Sequence, residues 1–336
     1  MTGPASPDGK EPSDILLQVS HLNKRFTKGH GTIRRRIEVV KAVDDVSFEV
    51  RKSEVLSIVG ESGSGKTTIA KCLMALTRPT SGSILYNGAD LAHLKGKALT
   101  DYWRDVQIAF QDPFESLIPR QDAYTTISLS MRRLTGLNDK SKLTEKSAQL
   151  LFEVGLDPEK VMHKLPHQLS GGERQRVNFA RALASDPKIL IADEPVTMVD
   201  ASQRMTILSL LAQLKSERNL TIVLITHDLA SAKLLSDRTA IMYSGKLVEI
   251  GPTEIILSQP FHPYSELILI ATPRLGAKVQ SFEEFGVGIE ASEGIEQGCI
   301  FRPRCKYAID VCKDAEPPLL EKVKGHYVAC HVRNQA

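Results

Sequence analysis

Gly60-Glu61-Ser62-Gly63-Ser64-Gly65-Lys66-Thr67 fills every fixed position of the G-x-x-x-x-G-K-[ST] pattern. An apolar run at residues 55–59 precedes it and helical spacing over residues 68–76 follows it, which predicts a strand, a glycine-rich turn and a helix. Such a turn lets backbone N–H groups surround an anion, and the helix N-terminus adds partial positive charge. We therefore predict that Lys66 reaches the β- and γ-phosphates of a nucleotide and that Thr67 ligates Mg²⁺.

Length and composition bound the class of protein. At 336 residues the chain is longer than a single hydrophobic core usually accommodates, so we expect one large domain with a smaller additional segment. The net charge of +3 is too small to indicate a nucleic-acid partner. No apolar run approaches a membrane span, and residues 1–14 are typical of a loose polar tail rather than a secretory signal. We expect a cytoplasmic protein that contacts a membrane through partners.

Further polar residues follow predicted strands. Residues 188–192 are an apolar run that ends in Asp193 and Glu194, which predicts a Mg²⁺ ligand and a residue that acts on the attacking water. Gln111 leaves another strand and is suited to ligate Mg²⁺ or orient water through its amide oxygen. His227 follows the apolar run 221–226, on the edge where Asp193 is expected, which favours a γ-phosphate contact.

A helical pattern spans residues 122–185, and Ser170-Gly171-Gly172 begins a helix that runs to about Leu183. A helix start of this kind binds anions by the same physics as the first motif, but it carries no lysine of its own. One chain thus offers one complete phosphate cradle and one half-cradle. This asymmetry predicts that two subunits pack head to tail, each completing the site of the other.

Two features leave alternatives open. Phe26, between strand-like segments at residues 15–19 and 43–50 that predict an antiparallel sheet, either stacks on an adenine ring or lies in the core of a hairpin. Four of the five cysteines crowd into the last forty residues as C-x5-C-x6-C-x17-C, which in a reducing compartment points to metal before disulfides. Zinc sites favour shorter intervals, so an iron–sulfur cluster fits better, with zinc, disulfides and free thiols as alternatives.

In their order and rough spacing, these motifs resemble the ATP-binding subunit of an ABC transporter over about residues 15 to 335. The resemblance implies an α/β P-loop NTPase (RecA-like) core with an antiparallel β subdomain, a helical signature subdomain and a small cysteine-containing C-terminal extension. We expect a tail at 1–14, a nucleotide-binding domain at 15–252 with its helical subdomain at about 115–185, and the extension at 253–336. Narrower features resemble the oligopeptide/dipeptide importer branch, namely residues 111–117, 166–169 and 262–264 and the tail from Gly298.

The resemblance implies roles for individual residues. Asp193 resembles the Walker B magnesium acid, with Thr67 and Gln111 as further Mg²⁺ ligands, and the catalytic set is Glu194, His227 and Gln111. The segment before Asp200 departs from the usual Ser-Ala-Leu-Asp and reads Thr197-Met198-Val199-Asp200. The nucleotide-contacting set comprises Phe26, Gly60, Glu61, Ser62, Gly63, Ser64, Gly65, Lys66, Thr67, Thr68, Gln111, Ser170, Gly171, Gly172, Asp193, Asp200 and His227. In similar subunits cysteines corresponding to Cys299, Cys305, Cys312 and Cys330 hold a [4Fe-4S] cluster, whose role we expect to be structural because the tail lies far in sequence from the phosphate-contacting residues.

The function implied is that of an ATP-hydrolysing subunit which powers a membrane importer, with ATP, Mg²⁺ and a [4Fe-4S] cluster (alternatively Zn²⁺) as cofactors. The cargo expected is oligopeptides or dipeptides; oligosaccharide import, or a non-transport ABC ATPase of DNA repair or the ribosome, are the alternatives. Expected partners are a second ABC ATPase subunit (a heterodimer before a homodimer), two transmembrane permease subunits and, indirectly, an extracytoplasmic solute-binding protein, without nucleic acid. The expected location is the cytoplasmic face of the membrane.

Overall fold

The computed structural model describes residues 14–30, 36–112, 116–197, 199–271 and 297–333. The strands are β1 Ile15–His30, β2 Arg36–Arg51, β3 Val55–Val59, β4 Ser81–Tyr86, β5 Ala89–Asp90, β6 Val106–Ala109, β7 Ile189–Asp193, β8 Thr221–Thr226, β9 Arg238–Tyr243, β10 Lys246–Pro252, β11 Leu320–Val323 and β12 His326–Val328. The α-helices are α1 Lys66–Leu73, α2 Lys97–Asp105, α3 Ala123–Thr135, α4 Lys140–Glu153, α5 Pro158–Val161, α6 Gly171–Leu183, α7 Ala201–Arg218, α8 Leu229–Leu235, α9 Thr253–Ser258, α10 Pro263–Ala271 and α11 Val311–Asp314. The α/β class predicted from the sequence is confirmed.

Two compact units make up the chain. The phosphate-loop unit takes its described residues from Met1–Arg51, Leu56–Gly88 and Thr226–Ala336. The acidic-strand unit comprises Lys52–Val55 and Ala89–Ile225. None of the helices within the described ranges combines the length and the apolar character that crossing a bilayer requires.

In the phosphate-loop unit, β1 pairs with β2 on one side and with β4 on the other, both in antiparallel register. This confirms the antiparallel sheet expected from the alternation at residues 15–19 and 43–50. A second group of strands runs in the order β11-β12-β10-β9-β3, in which β3 and β9 are parallel. The strands β9 and β10 form a hairpin, and Ser244 and Gly245 make its turn with positive φ angles of 46° and 84°.

The C-terminal part of the chain is built into this unit. β12 extends the sheet by pairing with β10, where Glu249 lies opposite Val328. The fully buried Glu249 carboxylate accepts hydrogen bonds from the N–H groups of Phe261 and His262, both at 2.9 Å, and lies 2.7 Å from Nε2 of the equally buried His326. A buried carboxylate is stable only when it is satisfied in this way. Glu249 therefore fastens β12 and the segment before α10 to the same strand.

The acidic-strand unit contains the parallel strands β8, β7 and β6, with Ile191 of β7 opposite Ile108 of β6 and Val223 of β8. All residues of β7 and β8 are buried, which agrees with their continuous apolar sequence and is typical of parallel strands covered on both faces. The helices α3, α4 and α6 of this unit pack on one another. Gly136 and Gly155 follow α3 and α4 with positive φ angles of 74° and 73°, a conformation that ends helices.

Candidate functional site

The phosphate loop joins β3 to α1, as the sequence predicts. Gly65 caps α1 with a φ of 101°, and a Cβ atom there would lie 2.1 Å from the carbonyl oxygen of Ala42. A Cβ atom at Gly60 would lie 2.3 Å from the carbonyl oxygen of Met242. Both glycines are therefore required by close backbone packing, and Gly65 also by its left-handed conformation. The loop is a rigid backbone cradle at the start of a helix.

Lys66 bridges this cradle. Its side chain is 4% exposed, and Nζ donates hydrogen bonds of 2.8 Å to the carbonyl oxygens of Gly60 and Glu61. The hydroxyl of Ser64 is buried and, within the described residues, has no hydrogen-bond partner. An ammonium group held over a glycine loop, beside an unpartnered hydroxyl, fits a site for phosphate oxygens.

The other residues of the motif are more open. Thr67 and Thr68 are half-buried, whereas Glu61, Ser62 and Gly63 are exposed. The side chains of this group are thus placed at the surface end of the loop, where a ligand can reach them.

In the acidic-strand unit, Asp193 ends β7 and Glu194 follows it; both are buried, with exposures of 2% and 8%. The Glu194 carboxylate accepts hydrogen bonds from Nε2 of Gln111 at 3.1 Å and from Oγ1 of Thr197 at 2.9 Å. Its N–H donates to the carbonyl of Ile225 on β8 at 2.8 Å. The structure thereby brings together two of the predicted catalytic residues, Gln111 and Glu194.

The backbone of Glu194 has a positive φ of 45°, which is uncommon for a residue with a side chain. Such strain concentrates at functional sites because the surrounding structure must hold it. Thr197 was not singled out as a functional residue by sequence reasoning. Its position three residues after a carboxylate, in a turn that starts at a strand end, is the signal that could have indicated its role.

Ser170 caps α6, and the helix ends at Leu183 as predicted. Oγ of Ser170 accepts a hydrogen bond from the N–H of Glu173 at 3.2 Å, while the Glu173 carboxylate accepts one from the N–H of Ser170 at 2.7 Å. This second bond holds the pKa of the Glu173 carboxyl below its usual range. The reciprocal arrangement is a capping box, which leaves the hydroxyl proton of Ser170 to donate to an external acceptor.

The glycines after Ser170 differ in their surroundings. Gly171 is half-buried and Gly172 is buried, where a Cβ atom would lie 3.0 Å from Oε1 of Gln203 on α7. Asp200, which caps α7, is exposed. His227 is exposed directly after β8. Their contacts with a nucleotide stay predictions.

Phe26 lies on β1, and its side chain is 42% exposed. The interpretation of Phe26 as a core residue is therefore wrong: the register of β1 against β2 places it opposite Val40 with its ring at the surface. Nζ of Lys24 lies 4.9 Å from the centre of the ring. The ring is accessible for stacking, and a role in binding adenine stays a prediction.

All five cysteines are free thiols, with Cys72 buried in α1. The N–H of Cys299 donates to the carbonyl of Cys312 at 2.9 Å. The pKa of the Cys305 thiol is raised to about 11, mainly by burial. The charges of the other three tail cysteines contribute to the same increase. Cys299 and Cys305 both pack against the same cluster of buried residues. In the portion of the chain that the structure describes, no three or more His, Cys, Asp or Glu side chains are arranged to hold a metal ion.

Two known protein families match separate parts of this chain. The family described as ABC transporter matches residues 43–197, and the family described as oligopeptide/dipeptide transporter, C-terminal region, matches residues 248–312. A probable peptide ABC transporter ATP-binding protein of Sinorhizobium fredii, y4tS, is 40% identical, over 96% of this chain and 92% of that relative. The oligopeptide transport ATP-binding protein AppF of Bacillus subtilis is 36% identical, over 95% of this chain and 98% of that relative.

A solved structure of similar fold is the dimeric post-hydrolysis state of the ATP-binding cassette MJ0796, bound to ADP and Pi. It is 28% identical with a TM-score of 0.63, and the match covers 71% of this chain and 99% of that chain. The P-loop core, the antiparallel β subdomain and the helical signature subdomain are thus those of an ABC cassette. With relatives this similar over nearly their whole length, the chain belongs to the ATPase subunits of ABC transporters, in the oligopeptide/dipeptide branch.

Proposed function

We propose that this chain hydrolyses ATP to drive an importer of oligopeptides or dipeptides. The observation that carries the proposal is the union, in one chain, of an ABC cassette at residues 43–197 and an oligopeptide/dipeptide transporter C-terminal region at residues 248–312. The first segment supplies the phosphate loop and the acidic strand end. The second is the part that distinguishes this branch from other ABC ATPases.

The proposed chemistry follows from the residues of the phosphate loop and of the acidic strand end. Lys66 exchanges its bonds to the Gly60 and Glu61 carbonyls for bonds to phosphate oxygens, which neutralises charge that develops during transfer. Thr67 and Asp193 would each supply an oxygen ligand to Mg²⁺, which screens the phosphate charges. Glu194, held by two donors, orients and deprotonates the attacking water.

A second copy of the cassette completes the cycle. Ser170 retains a hydroxyl proton that its own helix does not use, and we infer that it donates to the γ-phosphate held by the partner cassette. Asp200, Gly171, Gly172 and His227 join this contact in our proposal. ATP binding closes the pair of cassettes, hydrolysis opens it, and two permease subunits that dock beside Gln111 follow the movement.

The assembly we propose is a heterodimer of two sister ATPases on two permeases at the cytoplasmic face of the membrane, supplied by a solute-binding protein. We assign residues 15–252 to the nucleotide-binding domain and residues 253–336 to the branch-specific extension. Residues 1–13 and 272–296, and the loop at 113–115 within the branch motif, lie outside the described residues.

We also propose that Cys299, Cys305, Cys312 and Cys330 hold a [4Fe-4S] cluster. The hydrogen bond from Cys299 to Cys312 and the packing of Cys299 and Cys305 on one buried cluster support this, as do sequence intervals wider than zinc sites favour. Cluster binding would replace the thiol protons by Fe–S bonds.

Reconstitution tests the transport function. The chain is purified with its membrane partners, placed in vesicles with its solute-binding protein, and supplied with labelled dipeptides, pentapeptides or a trisaccharide. We expect ATP-dependent uptake of a peptide, and none when Lys66→Ala replaces the wild-type chain. ATP-dependent uptake of the trisaccharide without uptake of any peptide contradicts the proposed cargo, and peptide uptake that survives Lys66→Ala contradicts the ATPase role.

A further inference from the structure

Two side chains from the C-terminal part of the chain hold one residue of the phosphate loop. The guanidinium of Arg304 forms two parallel hydrogen bonds of 3.0 Å with the two carboxylate oxygens of Glu61. The hydroxyl of Tyr264 accepts the backbone N–H of Glu61 at 3.1 Å. All three residues belong to the phosphate-loop unit. Glu61, the second residue of the nucleotide motif, is therefore bound through its side chain and through its backbone by residues more than two hundred positions later in the sequence.

The Arg304–Glu61 pair differs from an ordinary surface ion pair. The Arg304 side chain is only 17% exposed, and its guanidinium lies 5.6 Å from the ring of Tyr243 and 5.9 Å from that of Phe301. Packing against these two rings holds the guanidinium in place before the pair forms, which reduces the entropy lost on pairing, and the bidentate geometry strengthens the pair. An exposed pair between two mobile side chains contributes little by comparison.

Tyr264 is held just as firmly. It is fully buried in α10, and its ring centre lies 4.6 Å from that of Tyr243 and 5.5 Å from that of Phe301. Phe301 and Arg304 lie between Cys299 and Cys305 in the sequence, and both cysteines pack against the same cluster of buried residues. The cysteine-bearing segment thus packs against both groups that bind Glu61, the Tyr264 hydroxyl and the Arg304 guanidinium.

Each hydrogen-bonding part of Glu61 has a partner. Its carbonyl accepts from Nζ of Lys66, the bond that Lys66 gives up when it turns to a phosphate. The contacts with Arg304 and Tyr264 engage the carboxylate and the N–H of Glu61 and not the carbonyl that Lys66 leaves, so they persist through that exchange. They are placed to keep the loop backbone in shape while the lysine changes partners.

We propose that Arg304 and Tyr264 are positioning residues, which hold Glu61 so that the phosphate loop keeps the shape that binds nucleotide. The cysteine-bearing segment thereby sets nucleotide affinity in addition to stabilising the fold. This inference rests on the proposed function, since it concerns the nucleotide held by the same loop.

The test uses the full chain and a fluorescent ATP analogue. Arg304→Met and Glu61→Gln each remove the bidentate pair, and we expect about fivefold weaker binding and a raised KM with kcat within about twofold. The double variant should bind no more weakly than either single one, because both changes break the same contact. Arg304→Lys, which keeps the charge, should fall between Arg304→Met and wild type.

Tyr264→Phe removes only the hydroxyl that accepts the Glu61 N–H and should weaken binding to a similar extent. Arg302→Met is the matched control, because Arg302 lies in the same turn but its guanidinium donates to the carbonyl of Lys313. Glu61 is 51% exposed, so Glu61→Gln keeps the fold even if a change at Arg304 does not. Binding by Glu61→Gln and Arg304→Met equal to that by Arg302→Met overturns the inference.

Lys66→Ala separates this inference from the function on which it rests. If Lys66→Ala abolishes binding while the variants of Glu61 and Arg304 bind as wild type does, the positioning role is wrong and the nucleotide site stands. If Lys66→Ala binds normally, the nucleotide site itself is wrong and the inference falls with it. A raised KM with constant kcat in the Arg304 and Glu61 variants supports the positioning role.

Discussion

The side-chain amide of Gln111 donates a hydrogen bond of 3.1 Å to the carboxylate of Glu194, and Thr197 donates another of 2.9 Å to the same oxygen. These two donors fix the orientation of the Glu194 carboxylate, which is the group that we propose takes a proton from water. In our proposal Gln111 lies beside the permease subunits. A permease movement that draws Gln111 away would then release the Glu194 carboxylate, so this hydrogen bond is the contact that we propose couples transport to hydrolysis.

Glu194→Gln should bind MgATP and hydrolyse it about a hundredfold or more slowly, because an amide cannot take a proton from water. Measuring turnover at saturating ATP together with nucleotide affinity checks this, and the variant should accumulate as an ATP-held dimer on size-exclusion chromatography. Glu217→Gln is the control, since Glu217 is an exposed residue of α7 whose carboxylate accepts a hydrogen bond from Gln213 on the same helix. Near-wild-type turnover by Glu194→Gln would remove Glu194 from the catalytic role.

Thr197→Val should lower kcat by roughly five- to tenfold with little change in KM, because it removes one of the two donors that orient Glu194. Thr197→Ser keeps the hydroxyl and should restore most of the rate. Steady-state ATPase kinetics of the two variants decide the point. Equal rates for the valine and serine variants would show that the hydroxyl has no part in orienting the carboxylate.

Lys66→Ala should weaken ATP binding by at least about tenfold, because it removes charge-assisted bonds to the phosphates. Lys71→Ala is the matched control, since Lys71 is an exposed lysine near the end of the same helix. Isothermal titration with MgATP measures the affinity, and a thermal melt verifies that the variant with a buried lysine removed is folded. Full affinity in a folded Lys66→Ala protein would contradict the cradle.

The sequence predicts the local parts of this site well. Strand, turn and helix around Gly60 and Lys66 follow from neighbouring residues, and the buried strand before Asp193 follows from one apolar run. Phe26 shows the limit, because its exposure depends on the register between β1 and β2 and on no residue near it. Periodicity alone does not fix such a register.

The C-terminal segment shows the same limit more strongly. Its distance in sequence from the phosphate loop predicts a separate, structural role, yet Arg304 lies 3.0 Å from Glu61. The contact arises because β12 pairs with β10 and Phe301 packs on Tyr243, both long-range pairings. The spacing of the cysteines carries no information about that packing, so only the fold reveals that the segment touches the nucleotide motif.

Ser170→Arg should leave ATP affinity of the isolated subunit nearly unchanged and abolish hydrolysis that depends on pairing of two cassettes. The bulky side chain would occupy the space that the partner's γ-phosphate needs, while the capping loss costs the helix only about 1 kcal/mol. Glu173→Ala separates the two effects, because it breaks the capping box without adding bulk. An ATP affinity as low as that of Lys66→Ala would contradict the head-to-tail arrangement.

Anaerobically purified protein should contain about four iron and four sulfide per chain. Cys305→Ser should lose most of both, whereas Cys72→Ala should not, since Cys72 lies in α1.

Burial raises the pKa of the Cys305 thiol to about 11 and also raises the pKa values of the Cys299 and Cys330 thiols. These three thiols are therefore protonated at neutral pH, and cluster binding must displace their protons. Protons compete more strongly as the pH falls, so the cluster should be released in acid and retained more firmly as the pH rises, which its visible absorption measures. One zinc per chain without sulfide would contradict the cluster, and metal-free protein whose C-terminal segment resists proteolysis would contradict both metals.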